Sequence, residues 1–527
     1  MTTFGNTGRH FSRRAFLGAA AVGLGGLALT ACGADTTSTS TTTSPGVDRS
    51  AVSAAEARQP HTGRTVTAEV TPQLVDIDLG GRDVRSFAYG NTVPSPIIRA
   101  SIGDELAVTV HNKMPHSTSL HWHGIALRND MDGAAPASRD IGAGEVYTYQ
   151  FSVPHAGTYW AHPHTGMQTD YGLYFPVIVD DPNEPLSYDA EWIVVLDDWT
   201  DGVDRTPQQI LEDLRRGGVG SMGQSGMNMH GMGGMGHSST SGGSQSGSDG
   251  MSGRVGTSAL LGGDSGDVAY PYYLINGRIP SAPALFDARP GQRVRIRIIN
   301  AGADTAFRVA LGGHRMTVTH TDGFPVERTT ADALLVGMGE RYDVVVIAET
   351  GVFPLVAVAE GKNAQAFAVF RTGIGSAPDP TARPRELDGQ VGTVDSFVAT
   401  REVMVPQGPP DVGLAVDLAG DMMSYRWTIN GRTYDQAEPL AIEQGQRARL
   451  TFTNTSMMWH PMHLHGHTFQ VVRVDGTPGP RKDTVIVRPM ERVAVDLVAD
   501  NPGSWMLHCH NGYHQESGMM TRLDYRR

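Results

Sequence analysis

GDELAVTVHN, at residues 103–112, recurs twice along this chain, as GQRVRIRIIN at residues 291–300 and GQRARLTFTN at residues 445–454. Each copy alternates apolar and polar residues with a period of two, which predicts a half-buried β-strand. A turn glycine precedes each copy at nearly constant spacing: Gly90, Gly277 and Gly431. This threefold repeat predicts an all-β protein of three β-sandwich domains with Greek-key-like strand density.

The length of 527 residues is too great for one hydrophobic core and agrees with several domains. We expect these domains at residues 64–185, 186–385 and 386–527. Residues 203–266 are rich in Gly, Ser and Met without sustained periodicity, and they predict a mobile loop inserted in the second domain. The formal charge of −13 argues against a nucleic-acid partner.

The N-terminus carries an export signal. Residues 12–17, SRRAFL, form a twin-arginine pattern, and the apolar run at residues 19–29 is too short for a permanent membrane helix. Residues 29–32, LTAC, resemble a bacterial lipobox and predict lipidation of Cys32; the alternative is cleavage by another peptidase, with Cys32 lost or free. We therefore expect a signal peptide at residues 1–31 and a disordered, Thr/Ser/Ala-rich tether at residues 32–63. The protein would be anchored on the outer side of the bacterial plasma membrane, in the cell envelope or periplasm.

Paired histidines occur at equivalent places in the first and third copies of the repeat. The pairs are His121 and His123, His162 and His164, His463 and His465, and His508 and His510. The middle copy has Val309, Leu311, Val356 and Val358 at these places. Residues i and i+2 of a strand share a face, so each pair can chelate a metal. A single pair is more often a core or surface histidine, but four equivalent pairs predict a metal site built from the outer domains. Eight histidines exceed the needs of a structural zinc site.

The triplet His508-Cys509-His510 places Cys509 on the opposite side of the strand from its neighbours. Cys509 can therefore bind a different metal while staying covalently joined to both histidines. One Cys, two His and a weak axial Met form a blue-copper electron-transfer site. His460, His514 and Met519 complete that set. The first domain has Pro163 where the third has Cys509, so only one such site is possible.

Four segments resemble the copper motifs of multicopper oxidases: HWHG at residues 121–124, HPH at 162–164, HPMHLH at 460–465 and HCHNGYH at 508–514. The resemblance covers residues 64–527. It implies cupredoxin-like domains, four copper ions and reduction of dioxygen to water by electrons passed from Cys509 through its flanking histidines. The type 1 copper would take His460, Cys509, His514 and Met519, and the type 2 copper His121 and His463. The type 3 pair would take His123, His162, His164, His465, His508 and His510. We expect a monomer.

Two acids are candidates for supplying protons. Asp132, in an Asp-Gly pair, matches the acid that family members place near the three-copper cluster, although Asp-Gly is also an ordinary turn. Many bacterial relatives have Glu directly after the last type 1 histidine. In this chain that position is Gln515, with Glu516 next, so the second proton path stays open.

The methionines of this chain indicate Cu(I) as the electron donor. Thioethers select Cu(I), and the insert carries Met222, Met227, Met229, Met232 and Met235, although a Gly/Ser linker that happens to be Met-rich is the alternative. Asp421 and Met458, with their neighbours Met422, Met423 and Met457, resemble the substrate-copper positions of bacterial cuprous oxidases. Those enzymes carry their insert in the third domain and an acid where this chain has Ser456.

The axial Met519 favours easily oxidised donors. We therefore expect a cuprous oxidase of copper detoxification that uses Cu(I) and O2. The alternatives are a laccase acting on phenols, an Fe(II) oxidase, and a non-enzymatic copper-sequestering protein of the envelope.

Overall fold

The repeated segment forms a central strand in each of three sheets. These strands are Glu105–His111, Arg293–Asn300 and Arg447–Asn454. Each pairs parallel with one neighbour and antiparallel with the other. The computed structural model describes residues 48–217 and 255–526. Strands far outnumber helices there, which confirms the all-β prediction.

The three copies bury their strands differently. The first and third alternate between half-buried and buried residues, as predicted, whereas the second is buried almost throughout. Two of its polar residues, Arg295 and Arg297, lie inside because both guanidinium groups form ion pairs with the buried carboxylate of Asp343. The prediction of a half-buried second strand was therefore wrong, since paired arginines replace the expected solvent-facing side.

Each repeat contains its own set of sheets, whose strands run in the following spatial order. The first repeat contains Thr65–Val70, Glu105–His111 and Val146–Ser152; Pro72–Asp78 and Asp83–Tyr89; and Ile98–Ser101, Phe175–Asp180, Gly157–His162 and His121–His123. The second contains Tyr272–Ile275, Ala190–Trp199, Arg293–Asn300, Arg341–Ile347, Met316–Thr321 and Phe324–Ala331; Ala284–Asp287, Ala364–Arg371, Val352–Ala359, Phe307–Leu311, Ala333–Val336 and Val391–Gly392; and the hairpin Thr257–Ser258 and Gly263–Asp264. The third contains Arg426–Ile429, Val412–Asp421, Arg447–Asn454, Arg492–Val498, Phe469–Val472 and Pro478–Lys482; and Leu440–Glu443, Met520–Arg526, Ser504–Cys509, His460–Leu464 and Thr484–Val487.

The expected domain boundaries stay predictions, with one difference at the second. The strand Val391–Gly392 lies beyond residue 385 but pairs with Ala333–Val336 of the second repeat.

The described residues include α-helices at Arg49–Glu56, Pro207–Gly217 and Gly512–Glu516. The first two lie in segments for which we predicted no structure. Asp48 caps the first helix by accepting the N–H groups of Ser50 and Ala51. The second helix buries Ile210, Leu211 and Leu214 on one face. The disordered tether therefore does not extend to residue 63, and the insert does not begin at residue 203.

The signal peptide, Cys32 and the five methionines of the insert lie outside the described residues. No helix within residues 48–217 and 255–526 is long and apolar enough to cross a membrane.

The first and third repeats are joined by hydrogen bonds from asparagine side chains. The Asn129 amide donates to the Ser504 carbonyl (2.8 Å), and the Asn501 amide donates to the Leu127 carbonyl (2.8 Å). These contacts connect the two outer repeats. Val309 and Val356 of the middle repeat are fully buried core residues.

Candidate metal centre

The histidine pairs lie at the ends of two antiparallel strand pairs. His121 is directly opposite His162 in the first repeat, and His463 is directly opposite His508 in the third. The strands end at His162, Leu464 and Cys509, so His164, His465 and His510 follow just beyond them. All eight are buried except His164, which is half-buried.

Six of the eight histidines form two triads whose ring nitrogens lie within 4.8 Å of one another. One consists of His123, His162 and His510, and the other of His164, His465 and His508. Each triad takes residues from both outer repeats. His121 and His463 form a further group together with His123. The sequence assigned the six histidines as one set, and the structure divides them in two.

Backbone carbonyls fix the tautomers of four histidines. Nδ1 of His121, His162, His463 and His508 lies 2.9–3.0 Å from a carbonyl oxygen. A carbonyl can only accept, so each Nδ1 carries the proton and each Nε2 offers a lone pair to the centre. Nε2 of His121 and of His463 has no partner among the described residues, although both are buried. Buried nitrogens without partners, pointing at a shared centre, fit a bound metal ion.

His123 is oriented the other way round. Its Nε2 lies 3.1 Å from Oδ1 of Asp483, and its Nδ1 lies 3.4 Å from Nε2 of His162. Asp483 is buried, and its carbonyl also holds Nδ1 of His463 (2.9 Å). The guanidinium of Arg341 donates two hydrogen bonds to the Asp483 carboxylate, at 2.7 and 2.6 Å. One aspartate therefore orients both His123 and His463.

The six histidines of the two triads favour the neutral form, as metal binding requires. Burial is the largest cause that lowers the pKa of every histidine of the two triads. The neighbouring histidines lower these pKa values further, because a second positive charge would be repelled. The donor set is thus suited to imidazole-binding metals such as copper.

A separate group surrounds Cys509. Its Sγ lies 3.7 Å from Nδ1 of His460 and 3.7 Å from Nδ1 of His514, and the two nitrogens are 3.1 Å apart. Met519 is buried, and its main chain bonds to the Cys509 N–H and the His514 carbonyl, so it lies beside the group. Burial raises the pKa of the Cys509 thiol, so the thiolate needs a nearby positive charge, which copper would supply. These residues fit a blue-copper site.

The far nitrogens of the two histidines are also held. Nε2 of His460 lies 2.8 Å from the Ser456 hydroxyl, and Nε2 of His514 lies 3.0 Å from Oδ2 of Asp267. The Tyr425 hydroxyl donates to the same Asp267 oxygen (2.5 Å). Asp267, from the second repeat, therefore orients a histidine of the third.

The two predicted acids differ in position. Asp132 lies against two histidines: Oδ2 is 2.9 Å from Nδ1 of His465, and Oδ1 is 3.3 Å from Nδ1 of His121. Glu516 does not line the cavity beside His162 and His510, whereas Gln515 does. The role of Glu516 as a proton donor stays a prediction.

The residues predicted to bind substrate copper differ in their exposure to solvent. Met458 is only 1% exposed, whereas Met457 beside it is 72% exposed, and the predicted role of Met458 at a substrate copper stays a prediction. Asp421 is exposed, and hydrogen bonds from Ser424 and the Met423 N–H lower the pKa of its carboxyl. Met423 is 79% exposed.

Sequence reasoning missed Asp483, Arg341 and Asp267. Arg341 and Asp483 are 142 residues apart, and neither belongs to a histidine motif. Asp267 lies just past the segment interpreted as an insert. No spacing signals such contacts, and only the equivalence of the repeats could have suggested looking near the strand ends.

Comparisons with known proteins agree with this geometry. Residues 73–184, 190–374 and 407–527 each match a family model described as multicopper oxidase. The Mycobacterium tuberculosis protein "Multicopper oxidase MmcO" is 56% identical over 98% of this chain and 97% of its own length. "Copper resistance protein A" of Escherichia coli is 27% identical over 85% of this chain and 90% of its own. The solved laccase from Botrytis aclada has the same fold, with a TM-score of 0.69 and 24% identity over 89% of this chain and 88% of that one.

Proposed function

This chain belongs to the multicopper oxidase family, and from that premise we propose that its electron donor is Cu(I) and that it serves copper detoxification. It is an oxidoreductase that uses O2 and binds four copper ions. We assign the type 1 copper to His460, Cys509, His514 and Met519, the type 2 copper to His121 and His463, and the type 3 pair to the two triads. Bound copper supplies one-electron oxidation of the donor at the type 1 site and four-electron reduction of O2 to water at the other three ions.

The chain itself joins these sites. Cys509 lies between His508 and His510, which belong to different triads. An electron accepted at Cys509 therefore has a covalent path to either triad. His508 is further fixed because its Nδ1 donates to the carbonyl of Cys509 (2.9 Å).

Two exposed thioethers carry the proposal of Cu(I) as donor. Leu418 and Asn454 are paired in parallel strands, and Met423 and Met457 follow a few residues beyond them, so both methionines emerge at the same end of the sheet. The exposed Asp421 is the last residue of the first of these strands. His460, a ligand of the proposed type 1 site, begins the strand that follows Met457. Thioethers favour Cu(I) over Fe(II) or phenols, because they are soft and uncharged ligands.

Oxygen uptake by the copper-loaded enzyme tests this proposal. Replacing Met423 and Met457 by Leu preserves size and hydrophobicity but removes both sulfurs. We expect the rate with limiting Cu(I) to fall while oxidation of a small phenol is unchanged. Met490→Leu is the matched control, because Met490 is 73% exposed in the same repeat, in a turn outside these two segments.

The alternatives give different outcomes in the same assay. An equal rate with Cu(I) in the double variant and the wild type would contradict the proposal. A higher turnover of a phenol than of Cu(I) would indicate a laccase. A higher turnover of Fe(II) than of Cu(I) would indicate an iron oxidase. Copper binding without oxygen uptake would indicate a sequestering protein.

We also propose that the chain is exported by the twin-arginine route and anchored in the envelope through a lipid on Cys32. The support is the twin-arginine pattern and the lipobox-like LTAC sequence. Cys32→Ala should release the protein from membranes, and a variant that still fractionates wholly with membranes would contradict the anchor.

A further inference from the structure

A small cavity reaches two histidines of one triad. Its volume is about 30 Å³, and it is lined by His162 and His510 and by the polar side chains of Thr169, Asp170 and Gln515. A polar cavity of this size has room for one or two water molecules. Gly166, which is exposed, also lines it, so the cavity extends to the protein surface.

Asp170 is the acid of this cavity. Its side chain is buried, and Oδ2 accepts hydrogen bonds from the hydroxyls of Tyr513 (2.7 Å) and Tyr270 (3.2 Å). Oδ1 is buried and has no hydrogen-bond partner within residues 48–217 and 255–526. A buried carboxylate oxygen without a donor is costly, whereas a protonated Oδ1 can itself donate to water in the cavity.

The surroundings of Asp170 favour the protonated form of its carboxyl. Burial is the largest cause that raises its pKa, and the neighbouring carboxylates of Asp198 and Asp197 raise it further. The hydroxyls of Tyr513 and Tyr270 act in the opposite direction, but their effect is smaller than that of burial. The other titratable groups that face the cavity are the two histidines of its wall.

No other lining group can take this role. Gln515 has an amide, which does not ionise. Glu516 does not line the cavity, and its Oε1 accepts a hydrogen bond from the Gln515 amide (3.3 Å). Asp170 is therefore the one carboxyl on this cavity among the described residues, and it comes from the first repeat rather than the third.

We propose that Asp170 donates protons, through water in this cavity, for the reduction of oxygen beside His162 and His510. The O–H bond at Oδ1 breaks, the proton passes to a cavity water, and that water passes a proton to the oxygen being reduced. The electrons come from the reducing substrate. The hydroxyls of Tyr270 and Tyr513 stabilise the carboxylate left behind, and solvent returns its proton through the surface end of the cavity at Gly166.

This inference rests on the assignment of His162 and His510 to copper, but it does not depend on which donor supplies the electrons. The test therefore starts from copper-loaded enzyme that has been fully reduced beforehand. Rapid mixing with O2 measures the rate of reoxidation without any donor being present. A failure of the Cu(I) proposal would leave this measurement unaffected.

Asp170→Asn keeps the size of the side chain and removes the proton. We expect reoxidation at neutral pH to slow by about 100-fold, the lower end of what one positioned acid contributes. Copper content and the blue absorption band should be unchanged. In the wild type the rate of reoxidation should fall as rising pH removes the Asp170 proton. This fall should be absent from Asp170→Asn, and Asp170→Glu should retain part of the wild-type rate.

The matched control is Asp201→Asn. Asp201 is also a buried acid whose pKa is raised by burial, but it does not line the cavity and is not among the carboxylates that raise the pKa of Asp170. We expect this variant to be reoxidised at the wild-type rate.

Infrared spectroscopy gives a second readout that does not depend on turnover. The copper-free protein at neutral pH should show the carbonyl stretch of a buried protonated carboxyl, and Asp170→Asn should lose that band. Reoxidation of Asp170→Asn at the wild-type rate would overturn the proposal. Loss of copper from the variant, or persistence of the infrared band, would also overturn it, because Asp170 would then be structural or already ionised.

Discussion

Replacing Arg341 by Met tests whether one ion pair stabilises the metal centre. The guanidinium is fully buried and donates two hydrogen bonds to Asp483, at 2.7 and 2.6 Å. Asp483 in turn contacts Nε2 of His123 (3.1 Å). Methionine would fill much of the space but leave the Asp483 charge buried and unpaired. Removing one partner of a buried pair costs about 3–5 kcal/mol of unfolding free energy.

An exposed arginine–aspartate pair provides the control. Arg371 donates to both oxygens of Asp287, at 2.6 and 3.0 Å, but their side chains are 47% and 60% exposed. Water replaces the lost partner there, so Arg371→Met should destabilise the protein much less than Arg341→Met. Arg341 also donates to the carbonyls of Thr158 and Gly339, so the contrast measures the buried guanidinium with all of its hydrogen bonds.

The pH dependence of the Arg341→Met effect has a definite sign. Burial alone would raise the pKa of Asp483, but Arg341 and a hydrogen bond from His463 together hold it below its usual value. In the wild type this pair stabilises the fold above the unfolded pKa of about 4, and the contribution is lost as pH falls through the folded pKa. In the variant burial is less opposed, so the pKa rises and protonation relieves the buried charge as pH falls. The difference in stability between the two proteins should therefore shrink on acidification from about pH 7 to pH 4.

Urea titration of the copper-free proteins, followed by tryptophan fluorescence, measures these differences. The double variant Arg341→Met with Asp483→Asn should regain most of the loss, because no charge is left unpaired. A loss no larger than that of Arg371→Met, or one that is constant with pH, would refute this account.

Three further predictions concern the copper sites. Cys509→Ser should abolish the blue absorption and the oxidase activity, because the thiolate ligand is lost, while the circular dichroism stays unchanged. A variant that remained blue would refute the assignment of buried Cys509 as a ligand. Met519→Leu should raise the type 1 potential in a redox titration, since a weak donor that stabilises oxidised copper is removed; a lowered potential would count against Met519 as a ligand. Gly339→Ala would place a Cβ 2.9 Å from ring carbons of both His123 and His510. Metal analysis should therefore show loss of copper from that triad, with the blue band retained. A full copper content would show that the two rings can move.

The parts of the site that the sequence predicts are those set by local geometry. A His-x-His pair on a strand keeps both rings on one face whatever the rest of the chain does. Equivalence of the repeats then brings His121 opposite His162, and His463 opposite His508, because the same strands pair in each copy. The division of six histidines into two triads was not predictable in this way, since each triad combines residues from both outer repeats.

Other failures have identifiable physical causes. The polar positions Arg295 and Arg297 suggested a solvent-facing side, but the carboxylate that pairs with them inside the protein is about 50 residues away in the sequence. In the helix Pro207–Gly217, the apolar residues Ile210, Leu211 and Leu214 have helical spacing. That signal was visible, but the Gly/Ser-rich composition of the longer segment outweighed it in our prediction.

The described part of the middle repeat contributes none of the assigned copper ligands, yet it contributes charges beside two of the proposed copper sites. Its Arg341 holds Asp483 against His123, and its Asp267 holds Nε2 of His514. Each of these contacts is buried, so each acts at low dielectric, where a charge has a large effect on a neighbouring group. Apolar residues such as Val309 occupy positions where the outer repeats carry histidine, whereas charged residues of the middle repeat orient ligands of both outer repeats. Substitution of Arg341 or Asp267, neither of which is an assigned ligand, should therefore alter the neighbouring copper sites.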